Sequence, residues 1–497
     1  MPGFAMPENN SSRGSAGPVR HVQVRTSVLH FVRNHALKGT QGMKPLGLID
    51  RVDLPVDKIP TRWYNVIPDL PRLPEEYIDN STGKKVTREW LERLFVKSMA
   101  AQETSLERWI TIPEPVREAY KLWRPTPLIR AVALERELGT PAQIWFKYEA
   151  TSPSGSHKLN SALAQAYYAK RDGHTRLVTD TGAGQWGSAL AIACQIFGLD
   201  LTVFMVRASF HNKPYRRNLM ETYGAEVRPS PGDTTEYGRK LLAEYPDHPG
   251  SEATAVSEAL ECVDADEGTR FAVGAFSNHC LLHHSVIGLE LKEQLRMIGR
   301  TPDYLIASVG CGSNLSGFAS PFVEDKLNGA DITILAAEPE ACAPLTYGEY
   351  RLDWADSNGR GPGVHTYTLG HEFVPPPIHA GGLRYHGCAP IVGLMRHEGL
   401  LDAEAYGQVS VFDAGTTFAK LQGYLPAPET SHAIRAVIDK ALECKRTGRE
   451  ATIVFNYSGH GLLDLGAYGR YNDGLLRDVE KEDFVAPTPS MVEGLKA

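Results

Sequence analysis

Lys158 is the first residue with a chemical reading. It follows Ser156-His157 where a helix is expected to begin, and its neighbours Leu159, Ser161, Ala162 and Leu163 are small or apolar. A lysine placed there can be shielded from water and is suited to Schiff-base chemistry. An ordinary solvated lysine is the alternative, and what weighs against it is the company Lys158 keeps. Gly310-Cys311-Gly312-Ser313-Asn314 lies between an apolar run and a segment expected to be helical. Backbone N–H groups and the helix dipole at such a place favour an anion such as phosphate, although a plain tight turn has the same composition. Gly182-x-Gly184-x-x-Gly187 matches the dinucleotide fingerprint in form. The next strand ends in Arg207 rather than an acidic residue, so only an NADP type of nicotinamide binding survives. His279 and His283 stand four apart, as two metal ligands on one helix face would. No Glu intervenes as in a metalloprotease helix, helix packing explains the pair, and no metal is assigned.

These residues need elements to hold them. After Arg124-Pro125-Thr126-Pro127-Leu128, short β-rich runs alternate with amphipathic helical runs, the rhythm of a parallel sheet. Strands are expected over residues 144–149, 176–180, 201–206, 271–275, 304–309, 332–337 and 452–456. Four are followed by loops of small residues: 152–158, 181–187, 310–314, and Ser458-Gly459-His460-Gly461. Ligands of open α/β sheets bind beyond the carboxyl ends of strands, so these four loops are expected to converge. Residues 1–20 read as a tail and 21–115, Pro-punctuated and then helical over 87–101, as an extension wrapped on the core. The remainder divides into an α/β domain over 116–290 and a second over 291–480.

The 497 residues carry 52 Lys and Arg against 59 Asp and Glu, a net charge of -7, with a pI near 6.2. That balance leaves no basic field for a nucleic acid. The seven cysteines are odd in number and never form a CxxC pair, which argues against a disulfide framework or a structural zinc site. The start MPGFAMPENNSSRGSAGP lacks an apolar core for a signal peptide, and the most apolar stretch, 189–199, is interrupted by Gln195 and too short to span a bilayer. A cytoplasmic enzyme acting on small molecules is the expectation.

Gly155-Ser156-His157-Lys158-Leu159-Asn160, Thr181-Gly182-Ala183-Gly184-Gln185-Trp186-Gly187, Gly312-Ser313-Asn314 and Pro428-Glu429-Thr430-Ser431-His432-Ala433 together closely resemble the β chain of tryptophan synthase. The stretches 62–65, 122–128, 213–217 and 379–387 look like its long, second type. The resemblance implies a fold-type II pyridoxal 5'-phosphate enzyme with two three-layer α/β domains, parallel-rich sheets and the cofactor between them, in a homodimer. It implies that Lys158 carries the cofactor as a Schiff base and that His157, Asn160, Gln185, Gly310, Gly312, Ser313 and Asn314 hold it. Ser458 would face the pyridine nitrogen, making the ring a weaker electron sink than an Asp would and suiting β-elimination. The substrate carboxylate would sit on the N–H groups of Thr181, Gly182, Ala183, Gly184 and Gln185. Lys158, Glu429 and Asp180, the last standing where the family's carboxylate assists hydroxide loss and accepts the indole N–H, would then act in a β-replacement of L-serine, or O-phosphoserine, by indole through an aminoacrylate, with a segment near 162–250 closing over it. A monovalent cation, K+ or Na+, is expected by the same resemblance, and the partner α subunit is left open.

One departure stands out. Where that family has a glutamate before Thr-Gly-Ala-Gly, this sequence has Asp180, a retreat of about 1.5 Å at a place where about 1 Å can cost about a hundredfold. It leaves two readings: a slow tryptophan synthase, or a lyase, deaminase or β-substitution enzyme with another nucleophile or substrate. Cys311 in place of a usual Gly, Gln422, Tyr424 and Leu462-Leu463 are further differences. From other classes, an NADP-dependent oxidoreductase using Gly182, Gly184, Gly187 and Arg207, and a scaffold subunit without turnover, remain as alternatives.

Overall fold

Two sheets carry the chain in a computed structural model that describes residues 50–479. The expected tail 1–20, the first part of the extension and residue 480 lie outside the described residues. The larger sheet has seven strands in the order Arg51–Val52, Leu128–Arg130, Gln143–Tyr148, Thr452–Tyr457, Tyr304–Ser308, Thr333–Pro339 and Asp402–Tyr406. Its first two pairings are antiparallel and the rest parallel. The smaller sheet is wholly parallel, ordered Glu226–Ser230, Asp200–Val206, Arg176–Thr181 and Thr269–Phe271.

The central strands are continuous apolar runs, as strands covered on both faces must be. All five residues of Tyr304–Ser308 and all six of Thr452–Tyr457 are buried. The strands missing from the sequence reading are mostly at the margins. Glu226–Ser230 contains Pro229 and charged residues, and Asp402–Tyr406 alternates Ala with acids; each is an edge strand, where a missing N–H and a wet face are tolerated. The strand expected over 271–275 stops at Phe271, because the Val273 N–H and carbonyl pair with the Gln165 side chain and the Gly274 carbonyl with Lys158 instead of with ladder partners.

The sheets do not divide the chain at residue 290. Leu128–Arg130 and Gln143–Tyr148 belong to the larger sheet, with Ile144 opposite Ile453, so the chain enters that sheet, builds the smaller one, and returns. Hydrophobic continuity explains this, since Gln143–Tyr148 needs apolar cover on both faces. In the extension, Arg62–Tyr64 and Trp109–Thr111 form a hairpin, and the helix expected over 87–101 breaks at Phe95-Val96 into Arg88–Leu94 and Lys97–Glu103. Fully buried Trp63 anchors the extension against the rings of Tyr168 and His283.

Beneath the junction of these elements lies a cluster of four buried charges. The Arg124 guanidinium meets Glu149 at 2.9 Å and Glu290 at 2.8 Å, and Lys147 Nζ lies 2.7 Å from Glu290, all four side chains being fully enclosed. Burial alone would raise Glu149, but the Arg124 and Lys147 charges override it and hold its carboxyl down to about 2. Breaking one member of such a cluster strands a charge in the interior. Glu290→Ala is therefore expected to lose about 3–5 kcal/mol of stability by denaturant unfolding; a loss below about 1 kcal/mol would show that the cluster does not hold this junction.

Candidate functional site

The four small-residue loops meet in one cleft, each following the carboxyl end of its strand: Gln143–Tyr148, Arg176–Thr181, Tyr304–Ser308 and Thr452–Tyr457. Backbone pairing fastens two of them together, with Ser156 bridged to Gly459 and the His157 N–H donating to the Ser458 carbonyl at 2.8 Å. Lys158 caps the helix Leu159–Arg171 at the cleft, where its half-buried Nζ donates to the Gly274 carbonyl at 2.6 Å and to Ser313 Oγ at 3.1 Å. His157 Nε2 lies 3.3 Å from the same hydroxyl. Burial and the adjacent Lys158 charge push His157 down to about 3, so it works as a neutral hydrogen-bonding ring.

The turn through Gly310, Cys311, Gly312, Ser313 and Asn314 is braced from behind. Asn314 Nδ2 donates to the Ser308 carbonyl at 2.9 Å, and Asn456 Nδ2 donates to Asn314 Oδ1 at 2.6 Å. At Gly310 a Cβ would come within 2.8 Å of the Gly382 carbonyl, so the loop backbone itself forms the wall. Across the cleft, Ser458 Oγ pairs with Thr430 Oγ1 at 2.9 Å. Glu429, in the first turn of Pro428–Thr447, accepts from the Gly382 N–H at 2.9 Å through Oε1, while its buried Oε2 has no hydrogen-bond partner.

Thr181, Gly182, Ala183, Gly184 and Gln185 run from strand end into the helix Gln185–Phe197, and all but Gly184, which backs onto Arg216, line the same cleft. The glycine at 182 is explained by a neighbour that sequence reasoning missed: a Cβ there would lie 2.0 Å from Glu252 Oε1. Of the fingerprint glycines Gly182 faces the protein's own carboxylate, while Gly184 packs on Arg216 and Gly187 on Met220, and Arg207 donates to the Pro231 carbonyl at 3.2 Å. Asp180, at the cleft end of its strand, is 9% exposed. Desolvation raises its carboxyl to about 7, only partly offset by its own backbone N–H and the Lys158 charge. Glu252 rises to about 8 through desolvation and the neighbouring Asp180 charge.

Other expected residues lie elsewhere. Asn160 is turned into the buried charge cluster, accepting from Arg124 at 2.8 Å and donating to Glu149 at 3.1 Å, so it braces the helix that carries Lys158 and does not line the cleft. His279 pairs with Glu103 at 2.6 Å, and His283 joins Ser161 and Gln102 at 3.0 and 2.8 Å, both deep in the core. Gln422, Tyr424, Leu462 and Leu463 stay outside the cleft lining, Tyr424 within an aromatic group of Phe146, Tyr148 and Tyr457. Besides Glu252, the sequence reading missed the Gly274 carbonyl, the Gly382 N–H and Tyr385. The spacing of Glu252, Val256 and Leu260, four apart and all in the cleft lining, was the available signal. Among the described residues no helix is long and apolar enough to cross a membrane.

A lysine amine, a glycine-walled turn beside a helix start and an unpartnered buried carboxylate in one cleft suit an aldehyde cofactor bearing a phosphate. The sequence profile described as "Pyridoxal-phosphate dependent enzyme" matches residues 120–459, and the chain belongs to that family. Within it the chain belongs to the tryptophan synthase β chains. It is 53% identical over 435 residues, 87% of this chain and 98% of the relative, to tryptophan synthase beta chain 2 of Thermococcus kodakarensis. It is 52% identical over 429 residues, 86% of this chain and all of the relative, to tryptophan synthase beta chain 2 of Methanothermobacter thermautotrophicus. Among solved structures, a fungal L-serine ammonia-lyase from Rhizomucor miehei superposes with a TM-score of 0.54 at 18% identity, covering 71% of this chain and 99% of that one, a likeness of fold. The protein is a pyridoxal-phosphate-dependent lyase, and the nicotinamide reading falls.

The raised Asp180 carboxyl has a consequence for stability. Its folded pKa lies above the ordinary value of 3.8, so its contribution is intact in acid and is lost as pH rises through about 7. Asp180→Asn removes that loss. The melting temperature of Asp180→Asn is expected to match that of the native protein near pH 4 and to exceed it by a few degrees near pH 8.5. A difference that stays constant with pH would contradict the buried, unpaired carboxyl.

Proposed function

We propose that this protein joins L-serine to indole, releasing water and forming L-tryptophan. The observation that carries the reading is the Lys158 amine at the meeting point of four strand-end loops, in a cleft whose other walls include Phe95, Val256, Leu260, Phe271 and Phe276. Lys158, His157, Gly310, Gly312, Ser313 and Asn314 would hold pyridoxal phosphate, with Ser458 and Glu429 beside its ring. When bound, that cofactor supplies an electron sink for the Cα of an amino acid.

The remaining work falls to side chains and backbone. Thr181 to Gln185, at the start of an apolar helix, bind the serine carboxylate. Lys158 Nζ would take the Cα proton and later return it. Asp180, with a carboxyl that ionises near neutrality, gives a proton to the departing serine hydroxyl and can accept one again. In the balance, the Cβ–O bond of serine breaks, a carbon–carbon bond to indole forms, and indole's proton leaves with hydroxide as water. The apolar walls keep bulk water from competing with indole.

Purified holoprotein given L-serine and indole is expected to yield tryptophan on chromatography. Lys158→Ala should lower that turnover at least about a thousandfold with an unchanged circular dichroism spectrum. Pyruvate without tryptophan would place the protein among lyases or enzymes using another nucleophile, and full activity in Lys158→Ala would refute the site.

A further inference from the structure

Glu252 opens the helix Glu252–Ala265, whose capping is carried out by Ser251 and Thr254, so its side chain is free to serve the cleft. Its Oε1 fills the space in front of Gly182, and its Oε2 lies 3.9 Å from Cys311 Sγ. Burial, reinforced by the Glu252 charge, pushes Cys311 well up, leaving a thiol that donates toward that carboxylate. The charged and titratable groups around Glu252 include Asp180, Lys158, Arg384, Glu429, Cys311, Cys342 and Tyr385. The two cations are turned elsewhere: Lys158 toward Gly274 and Ser313, Arg384 toward the carbonyls of Pro375 and Pro376. Among the described residues neither Asp180 nor Glu252 forms an ion pair with Lys or Arg, and Asp180, nine-tenths buried, has its own backbone N–H as donor.

Carboxyls whose only donors are a distant thiol and a backbone N–H are under-satisfied, and a ligand that supplies a further donor is favoured there. Glu252 also heads a stripe with Val256 and Leu260 along one helix face, and Phe95, Phe271 and Phe276 complete the wall. An acid at one end of an apolar slot is complementary to a flat aromatic ring with one N–H on its edge. Resting on the β-replacement reading above, we propose that Glu252 receives the N–H of the incoming aromatic nucleophile and so selects N–H heteroaromatics over nucleophiles that lack that donor. Glu252 is a specificity-determining residue of the second half of the reaction and has no part in taking the Cα proton of serine. Two departures noted in the sequence, Asp180 and Cys311, both face this one carboxylate.

The test compares native holoprotein, Glu252→Gln and Glu252→Leu in three measurements. These are deuterium exchange at the serine Cα without nucleophile, the dissociation constant of indole by calorimetry, and the kcat/KM ratio of indole to 1-methylindole. Glu252→Leu is expected to keep serine exchange within about twofold, bind indole about tenfold more weakly and lose about tenfold of its preference for indole, with Glu252→Gln in between. Unchanged indole binding and preference in both variants would overturn the proposal, as would a loss of serine exchange as large as the loss of indole binding. Should Glu252→Leu not fold, Glu252→Gln decides by the same criteria. Native protein that exchanges the serine proton but makes no tryptophan would instead overturn the reading of the previous subsection, and this one with it.

Discussion

A buried guanidinium underlies the active cleft. Arg124 is enclosed with Glu149, Glu290 and Lys147, and it also donates to Asn160, two residues beyond Lys158. Strand Gln143–Tyr148, the turn after it, helix Leu159–Arg171 and helix Val286–Met297 each contribute one group to this cluster. Every donor and acceptor is committed to a partner on another element, so none of these elements can shift without exposing a charge to a medium that cannot solvate it. The start of the lysine-bearing helix is held in place from beneath, by electrostatics and not by packing alone.

Above that foundation the cleft is arranged in the opposite sense. Asp180, Glu252 and Glu429 border it with few internal partners, and desolvation lifts the first two into the neutral range. Acids that neither ionise fully nor stay fully protonated near neutrality are suited to passing protons and to receiving a ligand's donor. A second tie crosses the cleft mouth, where Lys213 and Arg216 meet Asp464 at 2.7 and 3.1 Å and hold its carboxyl near 2 against the effect of burial. Charge is satisfied internally where the fold needs rigidity and left for the substrate where the chemistry needs it.

Much of this was legible in the sequence because chemistry constrains residue types more tightly than packing does. Lysine, the glycine-walled turn and the Thr181 to Gln185 loop follow strand ends at recognisable spacing, and the central parallel strands of both sheets read as apolar runs. Edge strands such as Glu226–Ser230 escaped notice because Pro229 and charges are permitted there. The placing of Gln143–Tyr148 in the larger sheet depends on a partner strand at the far end of the chain, which no local pattern announces. Glu252 was missed for a similar reason: an acidic residue in a helix's first turn is ordinary, and only the tertiary approach of Gly182 and Cys311 gives it a site. Asn160 was drawn to the cofactor by its nearness to Lys158, although two steps along a helix turn a side chain by about 200° and here carry it to the charge cluster.

The account rests on Lys158 being the residue that bonds the cofactor. Borohydride reduction of the holoprotein, followed by protease digestion and peptide mass mapping, tests this directly. The account predicts one pyridoxyl-modified peptide, carrying Lys158, with the modification absent after prior treatment with hydroxylamine. Modification of Lys147 or Lys213 in its place, or an unmodified Lys158 peptide in protein that holds stoichiometric cofactor, would contradict it.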